Sequence, residues 1–93
     1  MIIRICTEDK NYDQVRVLCS ARFDGFTIYR AAGVWKGVPE LALVIEIAVI
    51  ENADFISNER EQYLAKKLAE DIKKLNAQES VLIEYIESTN VLI

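Results

Sequence analysis

The segment LALVIEIAVIE, from Leu41 to Glu51, has the most strand-like sequence in the chain. Branched and aliphatic side chains favour a strand because they pack well against their neighbours on a pleated sheet. Alternate side chains of a strand point to opposite faces. We therefore expect Leu43, Ile45 and Ile47 on one face of this strand and Val44, Glu46 and Ala48 on the other.

Three further segments have the residue pattern of strands. They are Met1 to Thr7, Phe26 to Ala32 and Ser80 to Glu87. The strand at Phe26 to Ala32 and the strand that begins at Leu41 follow each other without a helix between them, so they predict a β-hairpin. Gly37 and Pro39 lie between the two strands and predict a long, partly structured tip.

The first predicted helix lies between the first two strands. It begins at Asn11, since Gln14 three residues later completes a pattern that resembles a capping box. It ends at Phe23 or Asp24, because Gly25 can adopt the left-handed backbone that commonly follows a helix.

The second predicted helix begins at Asn58, with Glu61 three residues later as its capping partner, and closes at Asn76. Apolar residues recur at helical spacing between these ends, which places them on one stripe. The stripe consists of Tyr63, Leu64, Leu68, Ile72 and Leu75.

The order of elements, β-α-β-β-α-β, predicts an α+β fold in a single domain, residues 1–93. With right-handed crossovers this order gives a ferredoxin-like sandwich, in which two helices cover one face of a four-stranded antiparallel sheet. The strands would then lie in the spatial order four, one, three, two. A chain of 93 residues is too short to build two hydrophobic cores.

The sheet face turned away from the helices is predicted to be too apolar to remain in water. Its expected interface residues are Ile2, Arg4, Val44, Glu46, Leu82, Glu84 and Ile86. One arginine and an acid on each of two neighbouring strands can form a charged row across this face. We expect copies of the chain to cover the face in a dimer or a trimer. The C-terminal Val91, Leu92 and Ile93 would suit the sheet edge of a neighbouring subunit.

Composition narrows the partners and the chemistry. Eleven Lys and Arg against fifteen Asp and Glu give a net charge of −4, so we expect neither nucleic acid nor a membrane as a partner. The chain has no histidine, the commonest general base and metal ligand, and no glycine-rich phosphate loop, so we expect no metal and no cofactor. The two cysteines and the lack of a signal-like start predict a reduced, cytoplasmic protein.

The hairpin tip is the other candidate binding site. Trp35 offers an aromatic surface for stacking, and Arg30 and Lys36 offer positive charge. An anionic planar ligand of the nucleotide type can use an aromatic ring beside a cation. The alternative is that Trp35 folds back and covers the sheet edge.

Three segments resemble a small family of uncharacterised bacterial and phage proteins. They are RFDGFT from Arg22 to Thr27, AGVWKG from Ala32 to Gly37, and QESVL from Gln78 to Leu82. The family's motifs are F-x-D-G-F-T, G-x-W and Q-E-S-V; the last two match letter for letter, whereas Phe23 directly precedes Asp24 in this chain. The resemblance implies a fold but no activity and no catalytic residue. For a phage protein it would also make a host protein a possible partner. More distantly, the order of elements is similar to that of PII signalling proteins and CutA-type trimers.

These observations leave three hypotheses for function. The first is a non-catalytic, homo-oligomeric interaction protein, of a regulatory kind, with its open sheet face buried. The second is a PII-like sensor or sequestering protein that holds an anionic nucleotide-like ligand at subunit clefts, using Arg30, Trp35 and Lys36. The third is an enzyme of the dimeric α+β-barrel type, in which desolvation raises the pKa of Glu46 or Glu84 for proton transfer.

Overall fold

The structure is a computed structural model that describes residues 1–50, 55–88 and 90–93, with residues 55–58 described by their helical backbone. It contains four strands and two helices in the predicted order. Their bounds are β1 Ile2–Glu8, α1 Tyr12–Ser20, β2 Thr27–Trp35, β3 Val38–Ala48, α2 Phe55–Asn76 and β4 Leu82–Ile86. Within the described part of the chain, no helix is both long and apolar enough to cross a membrane.

The four strands form one antiparallel sheet in the order β2-β3-β1-β4. β1 lies inside the sheet because it pairs with β3 on one side and with β4 on the other. β2 and β4 are the two edges. The α+β class and the four-stranded antiparallel sheet with two helices are thus confirmed.

Both helices pack on the same face of the sheet and form the core with it. The alternation of β1 and β3 supplies the sheet side, since Ile3, Ile5 and Ile45 are fully buried. Burial of each such side chain contributes about 1.5–3 kcal/mol to stability. The core cluster comprises Ile3, Ile5, Val15, Cys19, Phe23, Ile45, Ile47, Val49, Ala65, Leu68, Ala69 and Ile72.

The hairpin tip is shorter than the sequence predicts. β2 continues to Trp35 and β3 begins at Val38, so only Lys36 and Gly37 form the turn. Their φ angles are 51° and 77°, and two consecutive residues with positive φ fit the right-handed twist of a hairpin. β1 ends at Glu8, and residues 32–41 of the hairpin extend past it. We call these residues the hairpin arm.

Helix α1 begins where predicted, with Asn11 as its N-cap, but its cap geometry and its end differ from the prediction. Asn11 has a left-handed φ of 55° and its side chain makes no capping bond, so the predicted capping box with Gln14 is wrong. The helix ends at Ser20 rather than at Phe23 or Asp24, and Gly25 does not have positive φ. The carbonyl of Cys19 accepts hydrogen bonds from the N–H groups of Arg22 and Phe23, which turns the chain and places Phe23 in the core.

Helix α2 begins at Phe55, three residues before the predicted cap Asn58. The side chain of Asn58 lies outside the described residues. The predicted end at Asn76 is correct, and Ala77 follows with a φ of 53°.

Candidate functional site: the open face of the sheet

The open face of the sheet is the side turned away from the two helices. Strand pairing places Arg4 directly opposite Glu46 on β3 and directly opposite Glu84 on β4. Thr27 on β2 is opposite Glu46 and completes a row across all four strands. The charged row that the sequence suggests is therefore present, and we call Glu84, Arg4, Glu46 and Thr27 the charged row.

Hydrogen bonds fix the middle of the charged row. The Tyr29 hydroxyl donates to Oε1 of Glu46 at 2.7 Å, and Nε of Arg4 donates to the same oxygen at 3.2 Å. The hydrogen bond from Tyr29 lowers the pKa of Glu46; desolvation opposes this effect, and the hydrogen bond from Arg4 adds to it. Glu46 is thus held as a carboxylate. The expectation that desolvation raises the pKa of a carboxyl group on this face is wrong for Glu46.

The other acid of the row lies beside a thiol. Sγ of Cys6 lies 4.0 Å from Oε1 of Glu84. Desolvation raises the pKa of Cys6, and the negative charge of Glu84 raises it further. A thiol held in its protonated form is a poor nucleophile, so this pair does not form a reactive cysteine site.

Apolar residues surround the charged row on both sides. Val44 is already buried within one chain, whereas Ile2 and Ile86 are half-buried and Leu82 is 56% exposed. Arg4 and Glu46 keep 35% and 29% of their side chains exposed. The open face is thus a mixed surface with a fixed polar centre and incompletely covered aliphatic flanks.

The C-terminal residues leave the body of the molecule beside the start of β1. The Nδ2 group of Asn90 donates to the carbonyl of Met1 at 2.9 Å and to that of Val49 at 3.1 Å. Beyond this anchor, Val91, Leu92 and Ile93 are exposed to 73%, 83% and 119% of their reference areas. Three adjacent aliphatic side chains therefore face solvent in the single chain.

The structure does not bring together the three residues expected to bind an anion. Trp35 is 65% exposed, and Nζ of Lys36 lies 5.9 Å from the centre of its ring. Arg30 occupies the opposite face of the hairpin, because it lies five positions before Trp35 on the same strand and side chains alternate between the faces. It donates to Asp9 at 3.1 Å and stacks over the Tyr12 ring at 4.8 Å.

A cavity of about 490 Å³ lies where the hairpin arm meets the end of β1 and the start of β4. Trp35, Cys6 and Leu82 contribute its apolar wall, and Glu40 and Glu79 lie at its polar side. Its size is within the range typical of ligand sites. However, neither Glu46 nor Glu84 lines it, so the two acids proposed for proton transfer do not face this cavity.

The sequence patterns do not indicate a buried polar cluster that the structure shows at the end of the core. Thr7 and Asn76 are each 5% exposed. The Asn76 amide donates to the Thr7 hydroxyl at 3.3 Å and to Gln78 at 2.8 Å, and it accepts from Asn11 at 2.9 Å. Buried polar groups need such partners. These bonds tie the ends of α1 and α2 to β1, so the cluster has a structural explanation.

The described residues contain no group of three or more histidine, cysteine or acidic side chains placed to hold a metal ion. Comparisons with protein-family models, with curated proteins and with solved structures find no match to the chain. The resemblance to the uncharacterised bacterial and phage family, and the more distant one to PII and CutA proteins, therefore stay predictions.

Proposed function

We propose that the protein is a non-catalytic, homo-oligomeric interaction protein of the cytoplasm, and that copies of the chain bury the open face of the sheet between them. The strand order, with both helices on one face, supports assigning the chain to the ferredoxin-like sandwiches. Two free thiols fit a reducing compartment.

The observation that carries this proposal is the combination of a fixed ionic centre with aliphatic flanks. Interfaces between proteins typically have an apolar core, with polar groups whose hydrogen bonds are satisfied. On the open face, Arg4, Glu46 and Tyr29 already satisfy one another within a single chain. Leu82 remains 56% exposed beside them, so a covering layer would remove apolar area from water while Arg4 and Glu46 keep their existing bonds to each other.

A second candidate, the binding of an anionic nucleotide-like ligand at subunit clefts, keeps support from Trp35 and Lys36 alone. Both lie at the tip of the hairpin arm, where an aromatic ring and a cation are available together. Arg30 is engaged by Asp9 on the other face. The enzyme hypothesis has the least support, because the pKa of Glu46 is lowered rather than raised.

The test of the proposal is the mass of the particle in solution. Light scattering at micromolar concentration should give a multiple of the mass of one chain. Leu82→Lys should shift the particle to the monomer, because a charge would be forced into the apolar flank. A native protein that stays monomeric would refute the burial of the open face.

Val17→Lys provides the matched control. Val17 is 59% exposed, almost the same as Leu82, but it lies on α1 and therefore on the other side of the sheet. The mass should not change in this variant. Equal dissociation by both substitutions would mean that a general rise in charge, rather than the open face, controls assembly.

A further inference from the structure

The order of charges in the charged row favours one twofold axis for a pair of copies. Across the sheet from β4 to β2, the row reads Glu84, Arg4, Glu46 and Thr27, that is acid, base, acid and hydroxyl. A twofold axis that runs along the strands between β1 and β3 reverses this order in a second copy. Glu84 would then face Thr27 of the second copy, and Arg4 would face Glu46 of the second copy.

Other twofold arrangements match the charges poorly. An axis perpendicular to the strands in the plane of the interface that passes through the charged row would place Arg4 over Arg4 of the second copy and Glu46 over its own equivalent. Like charges in direct opposition cost several kcal/mol in an interface. An axis between β1 and β4 would pair Arg4 with Glu84 but would leave β3 and β2 hanging beyond the edge of the other sheet.

The neighbouring row of the open face also fits the axis between β1 and β3. From β4 to β2 this row contains Leu82, Cys6, Val44 and Tyr29. Reversed by the axis between β1 and β3, Leu82 faces the Tyr29 ring and Cys6 faces Val44. Apolar groups therefore meet apolar groups at every position of this row.

The atoms needed for a second set of ion pairs are available. The contact between Arg4 and Glu46 within one chain uses Nε and Oε1. The two terminal nitrogens of Arg4 and the second oxygen of Glu46 remain for another partner, and a guanidinium group can bind two carboxylates at once. Burial of the row would be costly if these atoms found no partner.

We propose that two copies pack their open faces together about a twofold axis that runs along the strands between β1 and β3, so that Arg4 of each copy binds Glu46 of the other. The inference rests on the proposed burial of the open face between copies of the chain and adds the number of copies, the symmetry and the paired residues. Such an interface is isologous, since each copy contributes the same patch. Sheets packed in this aligned way are a common arrangement.

A charge-exchange experiment tests this arrangement. Arg4→Glu should place acid against acid on both sides of the axis, and Glu46→Arg should place base against base. Each variant alone should dimerise about a hundredfold more weakly than the native chain. A mixture of the two should form the heterodimer, detected by native mass spectrometry, because every acid then faces a base on the other copy.

Neutral substitutions keep the test decisive if the charge-exchange variants do not fold. In a mixture of Arg4→Gln with Glu46→Gln, the heterodimer retains one complete ion pair between Glu46 of one chain and Arg4 of the other. Both homodimers retain none. The heterodimer should therefore exceed the statistical half of all dimers, and a purely statistical mixture would overturn the proposed pairing.

The outcomes separate this inference from the proposed function. A native trimer, or native-like dimers of both charge-exchange variants, would overturn the axis between β1 and β3 while leaving a self-associating protein. A native monomer would overturn both. Circular dichroism of each variant establishes that loss of assembly is not loss of the fold.

Discussion

The two faces of the sheet use the same strands and similar residues, yet only one of them is fully buried within a single chain. On β1, Ile3 and Ile5 point to the helices and are fully buried, whereas Ile2 and Arg4 on the other face are only half-buried. Aliphatic content therefore does not by itself decide which face becomes the core. The core face is the one that α1 and α2 reach through Val15 and Leu68.

Polar groups show the same contrast between the two sides. At the helix side, Thr7 and Asn76 are buried and bonded within the chain, which removes any need for an outside partner. On the open face, Arg4 and Glu46 are bonded but remain one-third exposed, with ligating atoms to spare. A closed network stabilises a fold, whereas a network with spare donors and acceptors can also specify a partner.

The two cysteines offer the strongest contrast between the faces, because each side has one. Cys19 is fully buried against the core, and burial raises its pKa to about 11. Cys6 is half-buried on the open face. At neutral pH, a thiol-specific disulfide reagent should modify Cys6 at least about a thousandfold faster than Cys19, which must wait for opening of the core.

The concentration dependence of this rate links it to assembly. Modification of Cys6 should become slower as the protein concentration rises, because a second copy covers the open face, while the rate at Cys19 should stay constant. Cys6→Ser and Cys19→Ser variants assign each rate to one thiol. Similar rates for the two thiols would mean that the faces do not differ in access.

A pair of alanine substitutions on neighbouring residues measures the same difference as energy. Ile3→Ala should lower the free energy of unfolding by about 2–5 kcal/mol, because it leaves a cavity between the sheet and the helices. Ile2→Ala should cost less than about 1 kcal/mol in dilute protein, since its side chain is already partly in water. Urea unfolding at low concentration gives both values, and equal losses would contradict the assignment of the core to one face.

Much of this division could be predicted from the sequence. Period-two alternation in β1 and β3 assigns Ile3, Ile5 and Ile45 to one side and Arg4 and Glu46 to the other. The alternation fixes faces without needing to know how the strands pair. It also brings the charges to one surface, where their alignment then depends on register.

The hairpin turn determines only the pairing of β2 with β3, and the pairing of β1 that aligns Arg4 with Glu46 and Glu84 joins segments distant in the chain. Lys36 and Gly37 form a two-residue turn. Trp35 and Val38 are the first residue pair after this turn, and Thr27 and Glu46 are the ninth. A long tip in which Pro39 breaks the strand predicts no definite pairing between these two strands. Pro39 is tolerated since it lies in the hairpin arm, where β3 has passed the end of β1 and is an edge.

Contacts between distant segments could not be predicted in this way. Arg30 donates to Asp9, because pairing of β2 with β3 brings it to the loop that follows β1. Asn11 bonds Asn76 rather than capping its own helix. In both cases a residue type with a common local role takes a tertiary partner, and only the packed chain determines which role prevails.

The smallest predicted effect concerns the acid stability of the open face. The folded pKa of Glu46 lies below its usual value of 4.5, chiefly because Tyr29 donates a hydrogen bond to it. The folded state therefore prefers the carboxylate, and its contribution to stability is complete above pH 4.5 and is lost as the pH falls through the folded pKa. Tyr29→Phe should raise the pKa of Glu46 towards 4.5 and should make the loss of stability in acid less steep.

Solvent screening keeps this effect small, because Glu46 is partly exposed. Urea unfolding from pH 7 down to pH 3 measures it, together with a carbon NMR titration of the Glu46 carboxyl group. Tyr85→Phe is the matched control, since Tyr85 is 48% exposed against 41% for Tyr29 and lies on the other edge strand. Tyr85→Phe should leave the titration of Glu46 unchanged. If Tyr29→Phe also left it unchanged, the hydrogen bond from Tyr29 would not be what holds this carboxylate ionised, and the fixed polar centre of the open face would depend on Arg4 alone.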